Sequence, residues 1–235
     1  MERLDKLIAA TGRWSRKEAK SLLKAGRVSV DGRIPAGPEE KIGEDAQVLV
    51  DGRPIRTERY VYVMLHKPGG VISSTEDPKE RTVMDLLPGE LRRIGLAPVG
   101  RLDKDTEGLL LLTNDGPLAH RLLSPGRHVD KVYYVETEGA MDAADREAFR
   151  QGIRLRDGTQ CLPAELELLD APGQALVTLR EGKYHQVRRM LAARGKPVTY
   201  LKRLSMGALT LDRDLEPGAW RFLTREEQEK LGQRD

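Results

Sequence analysis

The densest run of reactive side chains is Gly100-Arg101-Leu102-Asp103-Lys104-Asp105-Thr106-Glu107-Gly108, in which acids at alternate positions are interleaved with cations. It stands immediately before Leu109 to Thr113, an apolar run suited to a strand buried on both faces. A loop ending at such a strand can hold a carboxylate in a cleft of low dielectric. The alternate acids could instead hold a metal ion, although Arg101 and Lys104 compete for them and the nearest histidine in sequence is His120. A plainer reading is a charged turn whose acids neutralise Arg101 and Lys104. A second cluster runs from Glu181 to Met190 and includes Lys183, Tyr184, His185, Gln186, Arg188 and Arg189. Gly182 permits a tight turn, after which the basic residues open a helix that Gly195 closes. Cations are favoured at the opposite end of a helix, so Arg188 and Arg189 are placed for an anion or a carboxylate. His185 reads as a general base, a hydrogen-bonded structural residue or a phosphate contact, and the whole cluster could be a surface basic patch.

These clusters need a scaffold, and periodicity supplies one. Val61, Val63 and Leu65 alternate into a strand that ends at a turn, His66-Lys67-Pro68-Gly69-Gly70. Val132 to Val135 and Leu176 to Leu179 read as further strands, with helices at about 117–123, 143–152 and 184–193. Thr224 and Glu227 form a capping box for a C-terminal helix. Strands and helices without regular βαβ spacing predict an α+β domain around a mainly antiparallel, mixed sheet flanked by helices.

Upstream of a polar stretch at 51–60 lies a smaller unit. Leu4, Leu7 and Ile8 share a helical face, Thr11-Gly12 interrupts it, and Ser15 with Glu18 caps a second helix that ends at Gly26. That helix buries Ala19, Leu22 and Leu23 and keeps Arg16, Lys17, Lys20 and Lys24 wet, which makes a basic face from periodicity alone. Arg27 to Arg33 reads as a short strand running into an Asp-Gly turn, Val48 to Gly52 repeats the device, and the Pro/Gly-rich stretch between them reads as loop. Two short helices and a small sheet, basic on one side, resemble the S4 RNA-binding domain over about residues 2–50. Arg3, Arg16, Lys17, Lys20, Lys24 and Arg27 are its expected RNA contacts. The expected domains are residues 1–58, S4-like with its linker, and residues 59–235, catalytic.

Composition removes several classes. At 235 residues the chain is one large domain or two unequal ones. With 39% hydrophobic and 33% charged residues it has material for a core and is unlike a disordered chain. One cysteine, Cys161, cannot make an internal disulfide or a thiolate metal cluster and fits a reducing cytoplasm. There is no apolar run of roughly 20 residues and no secretory h-region at the N-terminus, so the protein reads as cytoplasmic and free of membrane. The net charge of +3 is modest, and its distribution, concentrated before Arg33, carries more information than its sum. No Walker A, G-x-G-x-x-G or nucleophile-elbow motif is present, which removes nucleotidase, dehydrogenase and hydrolase-triad readings.

Gly100-Arg101-Leu102-Asp103, continued by Lys104 to Leu110, resembles the signature of the pseudouridine synthases. Lys131-Val132-Tyr133 resembles the family's second motif and Leu179 to Met190 its third, in the right order. With the S4-like unit in front, the whole chain resembles the RsuA branch, which modifies small-subunit rRNA. Near relatives in that branch act on large-subunit rRNA, and Lys183-Tyr184-His185-Gln186-Val187 looks more like the 16S enzyme. The resemblance implies isomerisation of uridine to pseudouridine in RNA without cofactor or metal. Asp103 would be the catalytic carboxylate, Tyr133 the ring against the target base, Arg188 the cation paired with Asp103, and Leu201 the apolar wall. Arg101, Leu102, Lys131, Lys183, His185 and Gln186 would line the substrate site. The implied partner is 16S rRNA, naked or in an assembling small ribosomal subunit, and a monomer is the default. His120 and His128 read as packing or phosphate contacts beside Pro125-Gly126-Arg127. A ribosome-assembly protein without activity would explain the S4-like unit but not the Asp, Tyr and Arg set.

Overall fold

The computed structural model describes residues 1–235 except Glu44, Asp45, Thr57, Arg59, Pro125, Arg127, His128 and 233–235, so the reading of His128, Pro125 and Arg127 lies outside the described residues. The chain forms two compact units: Met1–Val61 with Leu87–Ala97, and Tyr62–Leu86 with Pro98–Asp235. The membership of Leu87–Ala97 in the smaller unit departs from the expected division.

The smaller unit contains β1 (Glu2–Arg3), α1 (Leu4–Ala10), α2 (Arg16–Lys24), β2 (Val28–Val30), β3 (Lys41–Ile42), β4 (Val48–Val50), β5 (Arg53–Pro54) and α3 (Gly89–Arg93). Leu4, Leu7 and Ile8 pack with Leu22, Leu23 and the valines of β2 and β4 in one buried cluster. The capping box starts α2 as expected: Glu18 N donates to Ser15 Oγ at 3.3 Å and Ser15 N to Glu18 Oε2 at 2.7 Å. β2 and β4 pair antiparallel, Val28 opposite Val50. The segment between them, expected to be all loop, also carries β3, which pairs with β1. Two-residue strands leave no alternation to detect.

Gly12 ends the interruption between α1 and α2 with φ +72, and a Cβ there would lie 2.0 Å from the Glu90 carbonyl oxygen. Arg13 Nε also meets Glu90 Oε2 at 3.0 Å, so α3 sits directly on this turn. Gly12→Ala combines a left-handed backbone with a steric clash and is expected to cost about 1–3 kcal/mol or more, measured as a lowered unfolding midpoint.

In the larger unit β6 (Tyr62–Lys67) is followed by a 3₁₀ turn at Val83–Leu86, and the chain returns through β7 (Ala97–Pro98). Then come β8 (Glu107–Thr113), α4 (Gly116–Leu123), β9 (Lys131–Thr137), α5 (Ala143–Gln151), β10 (Glu165–Leu168) and β11 (Gln174–Leu179). The last elements are α6 (Gln186–Ala193), β12 (Val198–Met206), β13 (Leu209–Thr210), β14 (Trp220–Phe222) and α7 (Arg225–Gly232). The strands run in the order β10-β11-β9-β12-β8-β6-β14. The β12–β8 pair is parallel, Arg203 opposite Gly108, whereas the other neighbours along this order are antiparallel. The sheet is therefore mixed and mainly antiparallel, with helices beside it. Leu109 to Leu112 are at most 1% exposed, as their unbroken apolar run requires.

The parallel β12–β8 pair sets the start of β8 level with Tyr133 and Tyr134 in mid-β9, while the end of β11 lies beside the start of β9, Leu179 opposite Lys131. The loops before β8 and after β11 hold both sequence clusters. Two expected boundaries shift. His66 and Lys67, expected in a turn, continue β6. α6 begins at Gln186 rather than residue 184, because His185 takes a left-handed conformation, φ 48 and ψ 36, at the N-cap.

Candidate active site

The loop before β8 is clamped from beneath. Ser73 Oγ donates to the Leu102 carbonyl at 2.9 Å and accepts from the Leu102 amide at 3.0 Å. The Lys67 side chain, fully buried, donates to the carbonyls of Pro68 (3.0 Å), Lys104 (3.1 Å) and Thr106 (2.8 Å). The Gly70 amide adds a second bond to Lys104 O, and Thr106 N closes a turn on Asp103 O. Burial pushes the Lys67 ammonium down to about 8, with Asp105, Glu107 and Asp103 pulling the other way.

The clamp gives the three acids different fates. Glu107 pairs with Lys202 across the β12–β8 register and accepts from the Tyr200 hydroxyl at 2.7 Å. Tyr200 also meets the ring of Tyr134 edge-on, on the sheet face opposite Tyr133. Asp105 is exposed and bound by Arg188 Nη2 at 3.0 Å. Asp103 is partly buried and lines a cleft of about 450 Å³ with Tyr133, Leu201, Arg101 and His185. Each of the three carboxylates thus has a different side-chain partner, Tyr200, Arg188 and His185, and the one that lines the cleft is Asp103.

The expected pairing of Arg188 with Asp103 is corrected by this geometry. Asp103 turns into the cleft while Asp105, two residues on, faces α6. The late start of that helix carries Arg188 to Asp105 and to the Val198 carbonyl at 3.4 Å. The basic partner that Asp103 meets within 4 Å among the described residues is His185, Nε2 to Oδ1 at 3.5 Å. The left-handed backbone of His185 is a strained position for a residue with a side chain, and it aims the imidazole across the cleft.

Other candidates separate into lining and support. Tyr133, half-buried on β9, lines the cleft, and Tyr134 points to the other face with its hydroxyl on Glu136 at 2.6 Å. Leu201 is 3% exposed and forms apolar wall between the cleft and the core. Arg101 is exposed at the rim, whereas Leu102 is buried and held by its backbone. Gln186 is buried and spent on the turn: its Oε1 accepts from Lys183 N at 2.9 Å and its Nε2 donates to Glu181 Oε1 at 2.6 Å. Lys183 pairs with Glu181. Lys131 belongs to a larger groove continuous with the cleft. Sequence reading misses Ser73 and the role of Lys67, whose signals are single polar residues; Tyr184, within the second cluster, is an exposed ring stacked 3.9 Å from His185.

In the smaller unit the expected RNA contacts divide. Arg3 and Arg16 converge on the buried carboxylate of Asp5, with Arg3 donating to both its oxygens, at 3.1 and 3.0 Å. That hydrogen bonding from Arg3 holds Asp5 below the usual carboxylate range against the effect of burial. Arg27 is bidentate on Asp51. Lys17, Lys20 and Lys24 are exposed along one face of α2, with no ion pair among the described residues.

A small basic unit joined to a mixed-sheet domain whose basic groove holds Asp103 and Tyr133 fits an RNA-modifying enzyme. The chain belongs to the RNA pseudouridylate synthase family, whose model matches residues 61–193, and an S4 domain model matches residues 2–35. It is an RNA pseudouridine synthase of the RsuA type. It is 48% identical over 229 residues to an uncharacterized RNA pseudouridine synthase of Bacillus subtilis (strain 168), covering 96% of each chain. It is 44% identical to the ribosomal small subunit pseudouridine synthase A of Pseudomonas aeruginosa, covering 96% of this chain and 98% of that one. A crystal structure of a pseudouridylate synthase superposes with a TM-score of 0.70 at 36% identity, covering 98% of this chain and 100% of that one. Among the described residues no helix is long and apolar enough to cross a membrane.

Proposed function

We propose that this enzyme isomerises one uridine of 16S rRNA to pseudouridine, with Asp103 as the reacting carboxylate. The observation that carries the reading is the placement of Asp103 in one cleft with Tyr133 and Leu201, while Asp105 and Glu107 are engaged elsewhere. Relatives 40–44% identical along nearly their whole length and called small subunit synthases support 16S as the substrate.

The reaction breaks the bond from uracil N1 to ribose C1′ and joins C5 to C1′, so atoms and electrons balance within one nucleotide. The nucleotide must first leave its stack, at a cost of a few kcal/mol. The Tyr133 ring and Leu201 wall offset part of this by receiving the base. Asp103 then either attacks C1′, forming an ester that C5 later displaces, or removes the C2′ proton to release uracil through a glycal. In both routes uracil leaves with the N1–C1′ electron pair and stays against Tyr133 while it turns; C5 then bonds C1′, the glycal regaining its C2′ proton from Asp103, and C5 loses its proton as N1 gains one. His185 keeps Asp103 oriented toward the ribose. Arg188 acts one step back, anchoring the loop through Asp105.

The enzyme is expected to work as a cytoplasmic monomer, with 16S rRNA free or within an assembling small subunit. Carbodiimide adducts and primer extension on unmodified 16S and 23S rRNA test the reading. One new stop in 16S is the expected result, and a stop confined to 23S overturns the substrate while leaving the reaction.

Lys17, Lys20 and Lys24 are placed to follow a phosphate backbone. Replacing all three by Gln is expected to weaken RNA binding and flatten the plot of log K against log salt by up to about 2–3. The fold should persist, since none of the three is buried. Titration at several salt concentrations measures this.

A further inference from the structure

The floor of the larger groove carries positive charge that neither the cleft nor the catalytic loop uses. Arg203 on β12 lies opposite Tyr133 on β9, and Lys131 is two residues before Tyr133, so all three share one sheet face. Lys131, Tyr133 and Arg203 line an open groove of about 1950 Å³ together with Asp103.

Arg203 is only 2% exposed, yet its Nη2 is buried with no partner and no carboxylate pairs with it among the described residues. Its Nε donates to Leu109 O at 2.8 Å, which fixes the guanidinium. Gly108 makes that placement possible. A Cβ there would sit 2.2 Å from the Arg203 carbonyl oxygen, so only glycine lets β8 approach β12 this closely. Lys131 is half-buried and spends one hydrogen bond on Val129 O at 2.9 Å. Its neighbour Asp130 is taken by Arg180 at 2.8 Å. The Lys131 ammonium is pushed down, first by burial and then by the like charge of Arg203.

Two partly desolvated cations side by side are costly unless an anion joins them. We propose that Lys131 and Arg203 form a seat for one phosphodiester of the RNA strand that enters the cleft. A guanidinium edge beside an ammonium suits the oxygens of a phosphate, and a neutral uracil carbonyl would not offset two charges. The seat would fix the backbone next to the flipped nucleotide while the base meets Tyr133. This inference rests on the reading of the groove as an RNA site.

The test uses the full chain and the 16S fragment that it binds most tightly, with one linkage at a time made an uncharged methylphosphonate. One linkage is expected to weaken wild-type binding about tenfold, and Lys131→Gln to weaken binding of the unmodified fragment similarly. That same methylphosphonate should then cost Lys131→Gln less than about twofold, because the charge it removes has already lost its partner. Arg203→Gln should behave alike. If it does not fold, the half-buried Lys131 decides the outcome alone. If every linkage costs the variant what it costs wild type, the seat is overturned. Pseudouridine formation is scored separately: coupling without product upholds the seat and overturns the reaction, and product without any coupled linkage does the reverse.

Discussion

Asp103→Asn is expected to abolish pseudouridine formation, with a rate loss of at least roughly 10²–10⁴-fold, while RNA binding changes by no more than a few-fold. The substitution is nearly isosteric and leaves the loop intact, because the bonds that hold the loop run through backbone atoms. Thr106 N donates to the Asp103 carbonyl, and Ser73 clamps Leu102, whatever the side chain at 103. An amide can neither attack C1′ as a carboxylate nor take up the C2′ proton, so both routes fail together. Asp105→Asn is the internal control. Its carboxylate is mostly exposed and serves to hold Arg188, so that change should loosen the loop and slow turnover modestly. Glu107→Gln, on the far face with Tyr200, should affect stability more than chemistry. Single-turnover rates for the three variants on the same transcript decide the matter. A near wild-type rate for Asp103→Asn removes it from the reaction.

Sequence makes the larger elements and the two reactive loops legible, for physical reasons that also explain what it leaves out. Leu109 to Leu112 announce a strand covered on both faces because four consecutive leucines have nowhere else to go, and they are at most 1% exposed. Ser15 and Glu18 announce a helix start because their reciprocal bonds are local. The partner of Arg188 cannot be found in this way. Whether it meets Asp103 or Asp105 depends on a turn at Asp103 to Thr106 and on the left-handed backbone of His185, and neither has a periodic signal. Leu87–Ala97 reads locally as part of the larger domain, yet it joins the smaller unit, where Glu90 meets Arg13 and Gly12. Arg203 escapes a sequence reading for a related reason. A cation on a strand reads as an exposed residue, and only the close approach at Gly108 buries it.

Lys67→Met should leave a folded protein that has lost roughly 10²-fold or more of its activity, the penalty for a reacting group displaced by about 1 Å. The opposing terms in stability are of similar size. The fall of the Lys67 pKa from 10.5 to about 8 is the balance of burial against the pull of three carboxylates, so removing the ammonium relieves a net cost of roughly 3 kcal/mol. Against this, Pro68 and Thr106 lose the donor for their carbonyls, about 1–3 kcal/mol each, while Lys104 keeps the Gly70 amide. The net change in unfolding free energy is then within about 3 kcal/mol of zero, and the effect falls on the position of Asp103. The pH dependence separates the two roles. A lysine depressed in the folded state binds its proton less tightly than in the unfolded chain, so between about pH 8 and 10.5 its contribution to stability rises with pH. Activity should move in the opposite direction. Above about pH 8 the amine keeps only two donors for three carbonyls, the loop slackens, and kcat falls along a limb that Lys67→Met lacks. Parallel pH profiles of unfolding and of single-turnover rate measure this. A limb of unchanged position in the variant assigns it to another group.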